Sequence, residues 1–270
     1  MLGACLFACD DSETTVSNST LDETTFAENV LTESSENVDD ALAARKGPRG
    51  LGGGGLAGGP GGLSDCAVVT EETPESEDYP STITIDYGEG CTSTNGNLTK
   101  SGKIIITLTG DPEEAGSQRI VVYDNYVVND HLVEGTRTFT NNGDGSHSIT
   151  LEGGKITTLE GLVITRESTK TKTLVSGGDT EEREDDVYEI TGTVSGVNAE
   201  GENYGKSITS PLIKSRDCPW ITSGVIEKTS GEDVVVVDFG DGTCDNLATR
   251  TENSVSEEIE MNHRVKRRHK

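Results

Sequence analysis

From Ser64 onward the chain is a succession of short β-branched runs separated by Gly, Asn and Asp. That rhythm restricts it to folds built from antiparallel strands. STITIDY at Ser81–Tyr87, GKIIITLT at Gly102–Thr109 and VVVVDF at Val234–Phe239 alternate or concentrate apolar residues as a strand with one buried face requires. Asn142-Gly143, Asp144-Gly145, Gly153-Gly154 and Gly177-Gly178 are the dipeptides that close hairpins. No window carries a sustained 3.6-residue apolar period, so helix should be scarce. Twelve strands are expected: 81–87, 102–109, 119–128, 133–141, 147–152, 155–166, 170–175, 187–197, 206–212, 221–228, 233–239 and 255–264. The fold class is therefore all-β, an antiparallel sheet or sandwich of many short strands, with a barrel or one long meander as variants. Aromatic residues make up only 4% of the chain, which argues against a thick core.

The segments before Ser64 have a different character. Residues 10–46 hold ten acidic side chains against Arg45 and Lys46, with eleven Ser or Thr. Such a stretch buries too little surface to offset its ordering entropy and is expected to be disordered, apart from a short helix over 37–44 where Val38, Ala41 and Leu42 share a face. Residues 47–63 hold ten glycines in seventeen positions and read as a flexible linker. Gly53, Gly55 and Gly58 form a G-x-G-x-x-G, but without the strand before and helix after that a dinucleotide site needs. As a random coil, the span 10–63 would extend on the order of 40 Å. The expected organisation is thus a signal-like segment 1–9, a tether 10–63 and an all-β domain 64–270.

Within that domain the sequence partly repeats. Asp65-Cys66 precedes Asp86-Tyr87-Gly88-Glu89-Gly90-Cys91, and Asp217-Cys218 precedes Asp238-Phe239-Gly240-Asp241-Gly242-Thr243-Cys244. The offset is constant, because 218 − 66 and 238 − 86 both equal 152. The repeat-like segments are 65–109 and 217–264, with 103–109 and 255–261 as equivalent return strands. Pairing of Cys66 with Cys91 and of Cys218 with Cys244 would staple each copy, although four cysteines permit three connectivities.

Charge and motif content exclude several function classes. A net charge of −26 repels nucleic-acid phosphates, so no nucleic-acid partner is expected. There is no G-x-S-x-G, H-E-x-x-H or Walker loop, and His131 and His147 are the only histidines of the domain outside its terminal tail. No catalytic residue, cofactor or metal site is assigned. Asp238, Asp241 and Asp245 could gather oxygen ligands, but not at EF-hand spacing, and solvated hairpin turns account for them. The last eight residues, His263–Lys270, reverse the sign of the chain and read as a charged end that discourages sheet aggregation. A patch for an anionic envelope polysaccharide is the sharper reading.

Leu6-Phe7-Ala8-Cys9 resembles the lipobox of bacterial lipoproteins, in which a signal peptidase cuts before a cysteine that then carries a lipid. Leu6 and Ala8 fit that pattern, and Phe7 is bulkier than usual. Leu2-Gly3-Ala4-Cys5 fits locally but leaves almost no signal upstream. No Lys or Arg precedes position 45, so the basic n-region is expected upstream of Met1, or the chain is trimmed. Asp238–Thr243 also resembles the DFGDGT turn of polycystic-kidney-disease-type modules, whose following strand motifs are missing. Cys9 with acidic residues behind it, the tether, and the ITIDYGEGC and VVVVDFGDGTC turns together resemble the small outer-membrane lipoproteins of Bacteroidetes. That resemblance implies lipidation at Cys9, a membrane partner through the lipid, and display on the cell surface. The function expected is a tethered, non-enzymatic binding or adhesion module for a glycan or protein ligand. Assembly through sheet edges is the second expectation, and a hydrolytic enzyme the third.

Overall fold

A computed structural model describes residue 38 and residues 66–75, 78–92, 99–180 and 184–261. The lipobox-like Cys9, the Gly-rich linker and the basic C-terminal end lie outside the described residues, as does the tether apart from Val38. Residues 66–261 form one 14-stranded antiparallel sheet, so the domain is all-β. The strands are β1 (Val68–Glu72), β2 (Ser81–Asp86), β3 (Cys91–Thr92), β4 (Thr99–Leu108), β5 (Gln118–Val128), β6 (His131–Asn141), β7 (Ser146–Thr157), β8 (Val163–Ser176), β9 (Val187–Val197), β10 (Asn203–Ser215), β11 (Ser223–Ser230), β12 (Asp233–Asp241), β13 (Leu247–Glu252) and β14 (Val255–Glu260). They lie in chain order from β1 to β14, with β3 alone off the path as a short extra partner of β4. The architecture is the meander among the expected variants.

One face of this sheet holds the core. Directly opposed residues share a face, and the pairs Ile85–Ile104 and Ile104–Tyr123 start an apolar lane that Tyr126–Val133, Val133–Ile156 and Ile156–Ile164 continue across β5 to β8. Ile85, Ile104, Ile106 and Tyr126 are fully buried. The few aromatics are concentrated here: Tyr126 lies 5.6 Å from Tyr123 and 5.7 Å from Tyr87 between ring centroids. Beyond β8 the same face buries only about one apolar side chain per strand, Val194, Leu212, Ile226, Val237 and Ala248.

The central strands are longer than the sequence pattern indicates. Gly153-Gly154, expected as a hairpin turn, is a bulge inside β7, where the register against β6 and β8 shifts. Gly153 takes φ +60°, and a Cβ on Gly154 would stand 2.4 Å from the Arg166 carbonyl oxygen. Two glycines therefore let the strand absorb an extra residue and continue. The actual β7–β8 turn spans 158–161, inside what reads as a single strand over 155–166. Gly161 donates there to the Thr158 carbonyl. Leu159, Leu162 and Val163 kept the apolar run going in sequence, yet they are 72%, 44% and 40% exposed.

The two cysteine turns are built alike and placed differently. The structure joins Cys66 to Cys91 and Cys218 to Cys244. In both, the strand aspartate accepts a hydrogen bond from the backbone N–H two residues on: Asp86 from Gly88 at 2.8 Å, and Asp238 from Gly240 at 2.9 Å. Following the meander, Cys91 lies at the end of the sheet that holds the β5–β6 turn, whereas Cys244 lies at the opposite end. The return strand after Asp238 is β13, which places Thr249 opposite Asp238. The expected equivalent, 255–261, instead forms β14 against β13. The loop after Cys244 is shorter than the one after Cys91, so the chain turns back sooner.

Candidate cationic face

Register alone assembles a charged surface on the core-bearing face of β8–β11. Ser168 opposes Val194, Val194 opposes Lys206, and Lys206 opposes Lys228. Counting outward by twos, β8 contributes Arg166, Lys170 and Lys172, β10 contributes Lys206 and Lys214, and β11 contributes Lys228. Between them β9 presents Tyr188, Ile190, Gly192, Val194 and Gly196, with Val194 buried and the Tyr204 ring over Gly196. No Asp or Glu occupies this face within these four strands. Glu167, Glu189 and Glu227 all point to the other side.

Burial works against the charge of two of these lysines. Lys172 Nζ sits 3.6 Å from the centroid of the Tyr188 ring. Burial pushes the Lys172 ammonium below the ordinary lysine range, and the nearby Arg216 adds to this while Asp186 opposes it. Lys214 is also held down by burial, against the pull of Asp217. Its ammonium donates to the carbonyls of Cys218 and Trp220. Asp186 fixes the margin of the lane, accepting from Tyr188 Oη at 2.9 Å and lying 4.0 Å from Arg216. Tyr204 Oη donates to the Thr165 carbonyl at 2.8 Å, which holds that ring at the boundary with the apolar half. Arg166, beside it, is only 8% exposed. Two lysines directly opposite each other in a sheet repel, and Lys206–Lys228 is such a pair.

The reverse face carries Glu167, Glu189 and Glu227 beside a row of hydroxyl residues. Thr138, Thr150, Thr169, Thr193 and Ser207 oppose one another in an unbroken row across β6–β10. Such β-branched hydroxyl residues suit a solvated pleated surface.

Other residues singled out by sequence do not converge. The carboxylates of Asp241 and Asp245 each accept a hydrogen bond from the backbone of their own turn, at Thr243 and Leu247, as Asp238 does at Gly240. Among the described residues no group of three or more His, Cys, Asp or Glu is placed to hold a metal. His131, at the start of β6, lies 2.6 Å from the Asn129 carbonyl through Nδ1, and His147 is an exposed residue of β7. No helix among the described residues is long and apolar enough to cross a membrane. Comparison of the chain with protein-family models, with curated proteins and with solved structures finds no match.

Proposed function

We propose that the chain is a lipid-anchored cell-envelope protein that displays a non-enzymatic all-β binding module, and that this module takes an acidic glycan on its cationic face. The lane of Arg166, Lys170, Lys172, Lys206, Lys214 and Lys228 carries this reading, because in a protein of net charge −26 the register of β8–β11 puts six cations on one face and Glu167, Glu189 and Glu227 on the other. Lys and Arg attract carboxylate or sulfate groups. Tyr188 and Tyr204 supply ring surface for sugar carbons at either end. The anchor reading rests on Leu6-Phe7-Ala8-Cys9, and the outer face of the outer membrane is the place its acidic follow-on residues favour.

A sulfated polysaccharide titrated into the full chain tests the site. Binding should weaken as salt rises, and the double variant Lys206→Ala/Lys228→Ala should lose affinity by about tenfold or more. Unchanged affinity in that variant would exclude the lane as the site. Labelled fatty acid incorporated into wild type but not into Cys9→Ser tests the anchor.

Edge assembly is the second reading, favoured by β1 and β14, each of which pairs on one side only among the described residues. Glu257, Glu258 and Glu260 on β14 oppose self-pairing at that edge. Concentration-dependent oligomers without ligand would support it.

A further inference from the structure

The row that holds Lys206 and Lys228 runs on beyond the lane. Followed back through the register, Val194 opposes Ser168, Ser168 opposes Leu151, Leu151 opposes Arg137 and Arg137 opposes Val121. In the neighbouring row, Lys170 opposes Ile149, Ile149 opposes Phe139 and Phe139 opposes Arg119. Arg119 on β5 and Arg137 on β6 therefore share the face of the lysines. Their guanidinium groups lie 3.7 Å and 4.9 Å from the centroid of the Phe139 ring, as the Lys172 ammonium lies against Tyr188. Arg119, Arg137, Lys170, Lys172 and Lys206 are half-buried, and Lys228 is exposed. In the other direction the row passes Val235 on β12 and reaches Glu252 on β13, a carboxylate that ends it.

On the same two rows, β7 and β9 place only Ile149, Leu151, Gly192 and Val194. The cations thus fall into three groups: Arg119 with Arg137, Lys170 with Lys172, and Lys206 with Lys228. With strands about 4.8 Å apart, Arg137, Lys170 and Lys206 stand on strands about 10 Å from one another, and β5 to β11 spans about 29 Å. Sheets twist along such a row, which a single polymer chain can follow and a flat crystalline surface cannot.

We propose that this face binds an extended acidic polysaccharide laid across the strands from β5 to β11, with an acid group on every second sugar, and that Arg119 and Arg137 form its far subsite. Charge complementarity sets the class of partner. The two-strand interval sets the spacing, because each sugar of an extended chain advances by about one strand spacing. The proposal rests on the reading of the lane as an anion site.

Hyaluronan oligosaccharides, which carry one carboxylate on alternate sugars, test it on the full chain. Affinity should rise by about tenfold between four and six sugars, as the third acid group reaches its cations, and level off at eight. Equal affinity for the four-sugar and six-sugar chains would overturn the proposal. Arg119→Ala/Arg137→Ala should abolish the gain from four to six sugars while leaving the four-sugar affinity nearly unchanged; a gain that persists in this variant would overturn the far subsite. Should the variant fail to fold, the length series on the wild type decides alone. Binding of a sulfated polysaccharide but of no hyaluronan chain would overturn the spacing and keep the lane. Binding of neither would sink the lane reading and this extension with it.

Discussion

Strands β1–β8 and strands β9–β14 belong to one continuous sheet but are stabilised in different ways. The first part packs Ile, Val and Tyr from neighbouring strands into a single cluster, with Val38 laid against it. The second part buries isolated residues, Val194, Leu212, Ile226, Val237 and Ala248, and puts lysines where the first part has isoleucines. An extended hydrogen-bond ladder can therefore cross from a water-excluded region into a wet one without changing its topology. What changes is the apolar burial: both regions have a ladder and one disulfide, but only the first packs its buried residues into one cluster.

Mutations should separate the two regions. Ile104 is fully buried at the centre of the cluster, so Ile104→Ala should cost about 2–5 kcal/mol in chemical denaturation. Next in size is Cys244→Ser. Opening a loop of 26 residues is worth about 3 kcal/mol in the chain-entropy model. Its effect should be local, with amide exchange accelerating in β11–β13 before β2–β5; uniform acceleration would show that the two regions unfold as one unit. Val194→Ala should cost only about 1–2 kcal/mol, because the site is less enclosed. A loss equal to that of Ile104→Ala would erase the proposed contrast.

The smallest effect concerns acid. Asp86 is held below the ordinary carboxylate range, first by the Gly88 N–H and then by Lys103, whose ammonium lies 3.1 Å away. A folded value below the unfolded one gives stability that is present above the unfolded value and lost as pH falls through the folded one. Asp86→Asn should therefore flatten the acid limb of the stability profile below about pH 4. Solvent exposure keeps the change small. A limb as steep as that of wild type would assign the acid sensitivity to other carboxylates.

The division between legible and hidden features has a physical cause. Turns such as Asn142-Gly143 and Asp144-Gly145 were readable because Gly143 and Gly145 both take φ +80°, a conformation that leaves its mark on local sequence. The cysteine partners were readable from the shared offset of 152. Gly153-Gly154 carries the same chemistry as a turn, and only the pairing of β7 with both neighbours shows it to be a bulge. β13 escaped because Leu247-Ala248-Thr249-Arg250 is brief and weakly apolar. The cationic lane was invisible for a stronger reason. Lys170, Lys206 and Lys228 are far apart in the chain, and register alone brings them to one face, so no local pattern could announce them.

The strictly sequential strand order also determines how the domain answers a pull. Strands that bond only to their chain neighbours can be peeled one after another, so a force on the C-terminal end would strip β14 and then β13 at low resistance, like a zip. The Cys218–Cys244 bond encloses β11 and β12 and withholds the chain between them from extension. Peeling from that end would meet this covalent stop at Cys244, before it reached the cationic lane of β8–β11. A pull on that end would thus unzip the edge of the sheet while the chain between the two cysteines stays unextended.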